Sequence, residues 1–184
     1  MSLHDLYARY AITLPPGILE WIGVRPARRE PMQSLESAQA LAGLGLEGDH
    51  RCTKTPGSAR QVTLISREFI QQIAQHCGYE LIDPARLRRN LVVSGINLNA
   101  LRYQQFQLGE AILEATALCH PCARMEQALG PGGVAAMLGY GGLCCKVIQG
   151  GRIQRGDQLM VLSDAKAQMS LFTPHPNAAH LRKD

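Results

Sequence analysis

Short apolar runs broken by glycine, proline and polar residues recur along the whole chain. Trp21-Ile22-Gly23-Val24, ended by Arg25-Pro26, reads as a first strand. Gln61-Val62-Thr63-Leu64-Ile65 and Leu91-Val92-Val93, the latter closed by Ser94-Gly95, read as further strands. From Phe106 to Thr116 apolar and polar residues alternate on either side of Gly109-Glu110, the pattern of a hairpin. Leu143 to Gln149 predicts a strand, with Gly150-Gly151 as a hairpin turn after it. Gly156-Asp157 predicts another turn before Leu159-Met160-Val161-Leu162. The period changes at Ser66, which caps a predicted helix with Phe69, Ile70 and Ile73 on one face and Gly78 at its end. Residues 123–129 and 133–138 are predicted helical, separated by Gly130-Pro131-Gly132.

The remaining stretches are less periodic. Residues 34–42 fit a strand or a short helix, Gly43 to Asp49 a glycine-punctuated turn, 50–59 a surface loop and 96–101 a short link. The chain divides into a leader (1–20, with Pro15-Pro16-Gly17), one domain (21–162) and a mostly polar tail (163–184). Six or more short strands with a few inserted helices predict a mainly β fold, a closed or partly closed barrel. With 184 residues, 46% of them hydrophobic, the chain suits one domain with a sizeable core. Only 5% are aromatic, so aliphatic side chains must fill it.

Charge and cysteine usage narrow the function classes. The net charge of +4 comes from scattered bases with few aromatics between them, which argues against a nucleic-acid partner. It favours a local basic cluster around a small anion. The N-terminus lacks an apolar signal region and no apolar run approaches the roughly 18 residues of a membrane span. The expectation is therefore a cytoplasmic protein with six reduced cysteines and no membrane partner.

The densest chemistry lies in Cys119-His120-Pro121-Cys122. A CxxC pair can be a redox couple, half a zinc site or a lone metal ligand with a spare neighbour. A second zinc pair would have to be Cys144-Cys145, and adjacent strand residues point to opposite faces. A thioredoxin-like couple wants alternating strands and helices around it, and that alternation is not visible here. Elsewhere Arg28, His50, Arg51, Lys54, Ser58, Arg60, Arg88, Arg89 and Asn90 flank predicted strand ends, where barrel topology can gather them into an anion site. Asp49, after Gly48, suits a turn cap or a carboxylate that holds a neighbouring arginine.

Several segments, in order, resemble the MOSC domain, the C-terminal domain family of molybdenum-cofactor sulfurases. They are Gly45-Leu46-Glu47-Gly48-Asp49-His50, Arg60 to Ile65, Arg89 to Gly95, Leu108-Gly109, the cysteine segment and Ile153-Gln154-Arg155-Gly156-Asp157. The likeness is to small stand-alone bacterial members, with no room for the pyridoxal-phosphate domain of the sulfurases. The resemblance implies a β-barrel with a few helices. It also implies a molybdenum cofactor (molybdopterin) and reduction of N-hydroxylated compounds, such as N-hydroxylated purine bases, with electrons from an external reductase. In relatives the second cysteine of the segment ligates molybdenum, which maps onto Cys122 as metal ligand and catalytic residue. Cofactor-binding positions map onto Arg28, Asp49, His50, Arg51, Lys54, Ser58, Arg60, Arg88 and Asn90. The family's usual Gly-Asp-Arg-His order stands here as Gly48-Asp49-His50-Arg51, which leaves open whether His50 or Arg51 faces the ligand. The alternative reading is a carrier that holds sulfur as a Cys122 persulfide, or the cofactor itself, without turnover.

Overall fold

A computed structural model of the chain describes residues 2–162. In chain order, α1 (Leu3–Ala11) leads into β1 (Gly17–Val24), β2 (Gln33–Leu35), β3 (Ser37–Leu41) and β4 (Gly45–Leu46). A 3-10 turn over His50–Thr53 precedes β5 (Val62–Ser66), α2 (Arg67–Cys77), α3 (Pro84–Leu87) and β6 (Leu91–Ser94). A second 3-10 turn, Leu98–Leu101, leads to β7 (Gln105–Leu108), β8 (Ala111–Leu118), α4 (Ala123–Leu129) and α5 (Gly133–Ala136). Strands β9 (Leu143–Gln149), β10 (Gly151–Gln154) and β11 (Gln158–Val161) follow. No helix among these residues is long and apolar enough to cross a membrane.

Seven strands close a mixed barrel in the order β1-β11-β7-β8-β9-β5-β6, with β6 returning to β1. Only β5 and β6 run parallel; the crossover between them carries α2 and α3 over the outer wall. Both faces of these strands are therefore buried, which explains their continuous apolar runs. Leu64, Leu91 and Val93 point into the barrel with Leu19, Ile22, Phe106 and Leu143. Ile65 and Val92 point outward and pack with Ile70 and Ile73 of α2, Met125 and Leu129 of α4, and Met137. Phe106 is the only aromatic ring among the buried apolar residues described; aliphatic side chains supply the rest. Helix α2 starts and stops as its sequence indicates. The Ser66 hydroxyl accepts the Phe69 N–H, and Gly78 closes the helix at φ 71°.

Several expectations are corrected. The stretch read as a leader is a folded part of the molecule. Ser2 and Asp5 form a reciprocal cap on α1, His4 and Tyr7 lie against Tyr103, and β1 begins at Gly17 rather than Trp21. Gly150-Gly151 is not a hairpin turn. At Gly150 the chain leaves the barrel and β10 pairs with β3, Gly151 opposite Ala40, in a separate sheet ordered β10-β3-β4. Local alternation identifies a strand but not its partner. Residues 34–41 fall in β2 and β3, interrupted at Glu36, and α3 forms between α2 and β6, where no element was expected. The tail, 163–184, lies outside the described residues.

Candidate active site

A cavity of about 190 Å³ opens between the Asp49 turn, the start of β6 and the segment after β8. Arg25, Arg51, Arg60, Arg88, Arg89 and Arg124 line it together with Asp49, Asn90, Thr63, Met32, Met125 and the Cys119–Cys122 segment. Six guanidinium groups thus face one carboxylate, so the cavity is built for an anion.

The floor is a closed hydrogen-bond network. Asn90 donates to the Gly23 carbonyl at 3.1 Å and to Asp49 Oδ2 at 3.0 Å, while its Oδ1 accepts the Thr63 N–H and hydroxyl. Asp49 also accepts the backbone N–H groups of Arg25 and Arg51 and bonds the His50 ring at Nδ1. Asn90 and Asp49 are both buried, and their polar atoms are taken up by the protein. They fix the turn that presents Arg25 and Arg51.

His50 and Arg51 differ in direction. Arg51 lines the cavity, whereas His50 turns to Arg25 Nη2, 3.0 Å from its Nε2. Burial first, and then the Arg25 charge, push the His50 imidazole below its ordinary titration range, with Asp49 opposing. Burial, reinforced by Arg88, Arg51 and Arg124, likewise holds Arg25 below the usual arginine value. The cations raise a positive potential that an anion would relieve. Two buried donors, Arg25 Nε and Arg88 Nη2, have no partner among the described residues.

The cysteine segment is placed by two glycines and one arginine. Gly141 and Gly142 pass so close to β5 and to Cys119 that a Cβ on either would overlap a carbonyl, of Cys119 and of Leu64 respectively. Gly142, at φ 84°, accepts the Cys119 N–H at 2.7 Å. Buried Arg89 then ties three loops together, donating to the carbonyls of Gly141 (2.8 Å), Leu87 (2.8 Å) and Cys119 (3.3 Å). Glu126 bonds the N–H groups of Gly132 and Val134 and so fixes α4 to α5.

The two thiols differ. Cys122 is exposed, precedes α4 without capping it through its side chain, and lies at the cavity wall. Cys119 is buried beside Cys144, which in turn accepts a hydrogen bond from Arg60 Nε at 3.0 Å. The Cys144 thiol, followed by Arg89 and Arg60, lowers Cys119 to about 6 against the cost of burial, while Cys144 itself is pushed up. Arg60 rises although burial alone would lower it, because the neighbouring cysteine sulfurs outweigh that cost. Cys145 faces the barrel interior, opposite in direction to Cys144, as adjacent strand residues must be. All six cysteines are free. Among the described residues no three His, Cys, Asp or Glu side chains come together as a metal cage.

Of the residues picked from the sequence, Cys122, Asp49, Arg51, Arg60, Arg88 and Asn90 meet at this cavity. Arg28, His50, Lys54 and Ser58 do not line it. Arg28, Lys54 and Ser58 are exposed, and Ser58 instead supports its own loop, accepting from the Arg60 N–H. Arg25 and Arg124 are cavity residues that the sequence did not single out, and Arg89, named there only among the bases at strand ends, joins them. Arg25 follows directly on the apolar core of the first strand and Arg124 on the cysteine segment, and that adjacency was the available signal.

A family model described as the MOSC domain matches residues 49–160, which includes the Asp49 turn, the arginines just before β5 and β6 and the whole cysteine segment. The chain belongs to the MOSC domain family. That domain is linked in general to molybdenum-cofactor binding, and its family to enzymes of that cofactor. Solved MOSC folds superpose on this one. The YUAD protein from Bacillus subtilis is 22% identical with a TM-score of 0.69, over 82% of this chain and 98% of its own. YiiM from Escherichia coli is 18% identical with a TM-score of 0.62, over 86% of this chain and 79% of its own. YiiM from Geobacillus stearothermophilus is 16% identical with a TM-score of 0.65, over 80% and 76%. At these identities the likeness is one of fold. No curated protein sequence matches the chain.

Proposed function

We propose that this MOSC domain binds the molybdenum cofactor with Cys122 as its protein ligand and reduces N-hydroxylated compounds. The observation that carries the reading is a free, accessible cysteine at the wall of a cavity lined by six arginines. Those donors fit the group. A phosphorylated pterin needs guanidinium forks for its phosphate, and a high-valent molybdenum centre suits a soft thiolate. The unpartnered Arg25 Nε and Arg88 Nη2 supply donors that nothing else described occupies. A metal brought here would find few protein ligands and must carry the others with it, as a dithiolene pterin does.

The chain's own residues divide the work. Arg51, Arg60 and Arg88 hold the anionic end; Asp49 and Asn90 set the loops that aim them. Arg89 and Gly142 hold the backbone of the cysteine segment, so that Cys122 keeps its place at the wall. Met32 and Met125 give the cavity an apolar side against which a flat base can lie. Bound molybdenum supplies the redox chemistry: an N–OH group takes two electrons and two protons to give N–H and water, with the electrons drawn from an external reductase. The reading carries with it a reducing, cytoplasmic setting for the free thiols.

The exposure of Cys122 also suits a second reading, a carrier that holds sulfur as a persulfide there. Metal and pterin analysis of protein expressed with ample molybdate separates the two. The reductase reading expects near-stoichiometric molybdenum in the wild type, its loss in Cys122→Ser, its retention in Cys119→Ser, and turnover of an N-hydroxylated purine. Protein without molybdenum or pterin overturns it.

A further inference from the structure

A second, larger cleft of about 630 Å³ adjoins the thiol cavity and shares Arg88 and Arg124 with it as a common wall. Arg29 and Arg86 complete its basic lining, with Gln127 as a neutral donor, and no carboxylate lines it. Of the ion pairs formed among the described residues, by Asp49, Glu20 and Glu36, none uses any of these four arginines. An uncompensated cluster of four cations repels itself unless an anion enters it.

The backbone around the cleft points the same way. Three non-glycine residues described have left-handed backbone, and two of them, Arg29 (φ 76°) and Arg88 (φ 57°), line this cleft. For an L-residue that conformation is unfavourable, because Cβ crowds the following carbonyl oxygen. Arg88 stands where α3 ends, the place a glycine or asparagine ordinarily takes. An arginine held there aims its guanidinium at the wall between the two cavities. Arg86 is held as well: it donates to the Ala128 carbonyl and its guanidinium lies 5.2 Å from the centre of the Tyr79 ring. The cleft is thus partly preorganised.

The inner cavity already has Arg25, Arg51 and Arg60 for one phosphate, with Arg88 shared at the common wall, while Arg89 is engaged with three carbonyls. The outer arginines therefore exceed the needs of a monophosphate. We propose that the outer cleft is a second anion site that takes a phosphate chain, so that the ligand of this protein carries a diphosphate or longer group between the two cavities. Two sources share that chemistry: a pterin cofactor extended by a nucleotide through a pyrophosphate link, and a nucleoside polyphosphate substrate. The site stands on its own geometry, independent of whether Cys122 binds molybdenum.

The test is calorimetric titration of the purified full chain with inorganic pyrophosphate, ATP, AMP and adenosine, with sulfate as the control anion. Pyrophosphate and ATP are expected to bind at least tenfold tighter than AMP or sulfate, and adenosine not measurably. Arg29 and Arg124 are both exposed and neither side chain hydrogen-bonds another described residue, so Arg29→Ala/Arg124→Ala should fold normally. That double variant should keep its melting temperature and lose at least tenfold in pyrophosphate affinity. Arg152→Ala, on the separate sheet, should lose nothing. Pyrophosphate binding no tighter than sulfate, or unchanged in the double variant, overturns the proposal. Protein purified with its pterin already in place is read differently. Release of a nucleoside monophosphate on acid hydrolysis, equimolar with pterin, assigns the site to the cofactor. Tight binding of added ATP without such release assigns it to the substrate, and neither result overturns the proposal. Because pyrophosphate binding is read without reference to metal, a molybdenum-free protein that binds it would sink the reductase reading alone.

Discussion

Replacing Arg89 with methionine should destabilise the fold and loosen the cysteine segment together. The stem of the side chain is kept, but three buried carbonyls, of Gly141, Leu87 and Cys119, lose donors at 2.8, 2.8 and 3.3 Å. A buried acceptor left without a partner costs about 1–3 kcal/mol. With about 1 kcal/mol for each, the loss is at least about 3 kcal/mol. For a domain of this size each kcal/mol moves the melting temperature by roughly 2–4 °C, so the expected drop is about 6–12 °C. Lysine is no substitute, because one ammonium on a flexible stem cannot reproduce a planar fork that spans three loops. Arg89→Lys should recover less than half of the loss. Urea unfolding gives the stability, and the rate of Cys119 alkylation by iodoacetamide gives the local effect. Buried Cys119 should react at least tenfold faster in Arg89→Met under conditions where the fold is more than 95% populated. A loss below about 1 kcal/mol, or unchanged alkylation, would refute the idea that Arg89 fastens the site rather than merely lining it.

Two further outcomes follow from the same networks. Asn90→Asp places a carboxylate where an amide now donates to Asp49 Oδ2 at 3.0 Å, so two buried acceptors meet. It should cost about 2–4 kcal/mol at pH 8 and less at pH 5, where one of the pair can take a proton; equal losses in melts at both pH values would contradict this. The Cys119–Cys144 pair sets a pH profile. In the unfolded chain both thiols titrate near 8.5, whereas in the fold Cys119 is lowered to about 6 and Cys144 is raised. Between about pH 6 and 8.5 the unfolded chain holds more protons, so stability rises with pH. The contribution is lost as pH falls through about 6. Above about 8.5 stability falls again, because the unfolded chain sheds the proton that folded Cys144 keeps. Urea midpoints from pH 5.5 to 10 should trace this dome in the wild type and flatten in Cys119→Ser, and superimposable profiles would refute the assignment.

Local chemistry was enough to mark most of the strands and the longest helix. The apolar-rich runs at 61–65 and 91–93 indicated strands, and the structure shows that both their faces are buried, Leu64 and Leu91 inside the barrel and Ile65 and Val92 under the helices. Ser66 and Gly78 marked both ends of α2 because capping is local chemistry. The ordered Gly-Asp, Arg-Asn and cysteine segments were enough to indicate the family, and six of the ten residues picked for the site do meet at one cavity. Partner choice was decided only in three dimensions. Whether β10 pairs with β9 or β3 depends on where the chain leaves the barrel at Gly150, and no periodicity encodes that. The direction of each polar side chain was equally non-local. Asp49 and Asn90 lie 41 residues apart and consume each other's hydrogen-bonding atoms, which makes them scaffolding in the wall of the cavity. Arg89 reaches 52 residues along the chain to Gly141, while its neighbour Arg88, in left-handed backbone, turns to the cleft. Residue type announces that a guanidinium is present; which carbonyl or anion it meets depends on groups far away in sequence, and folding alone brings them together.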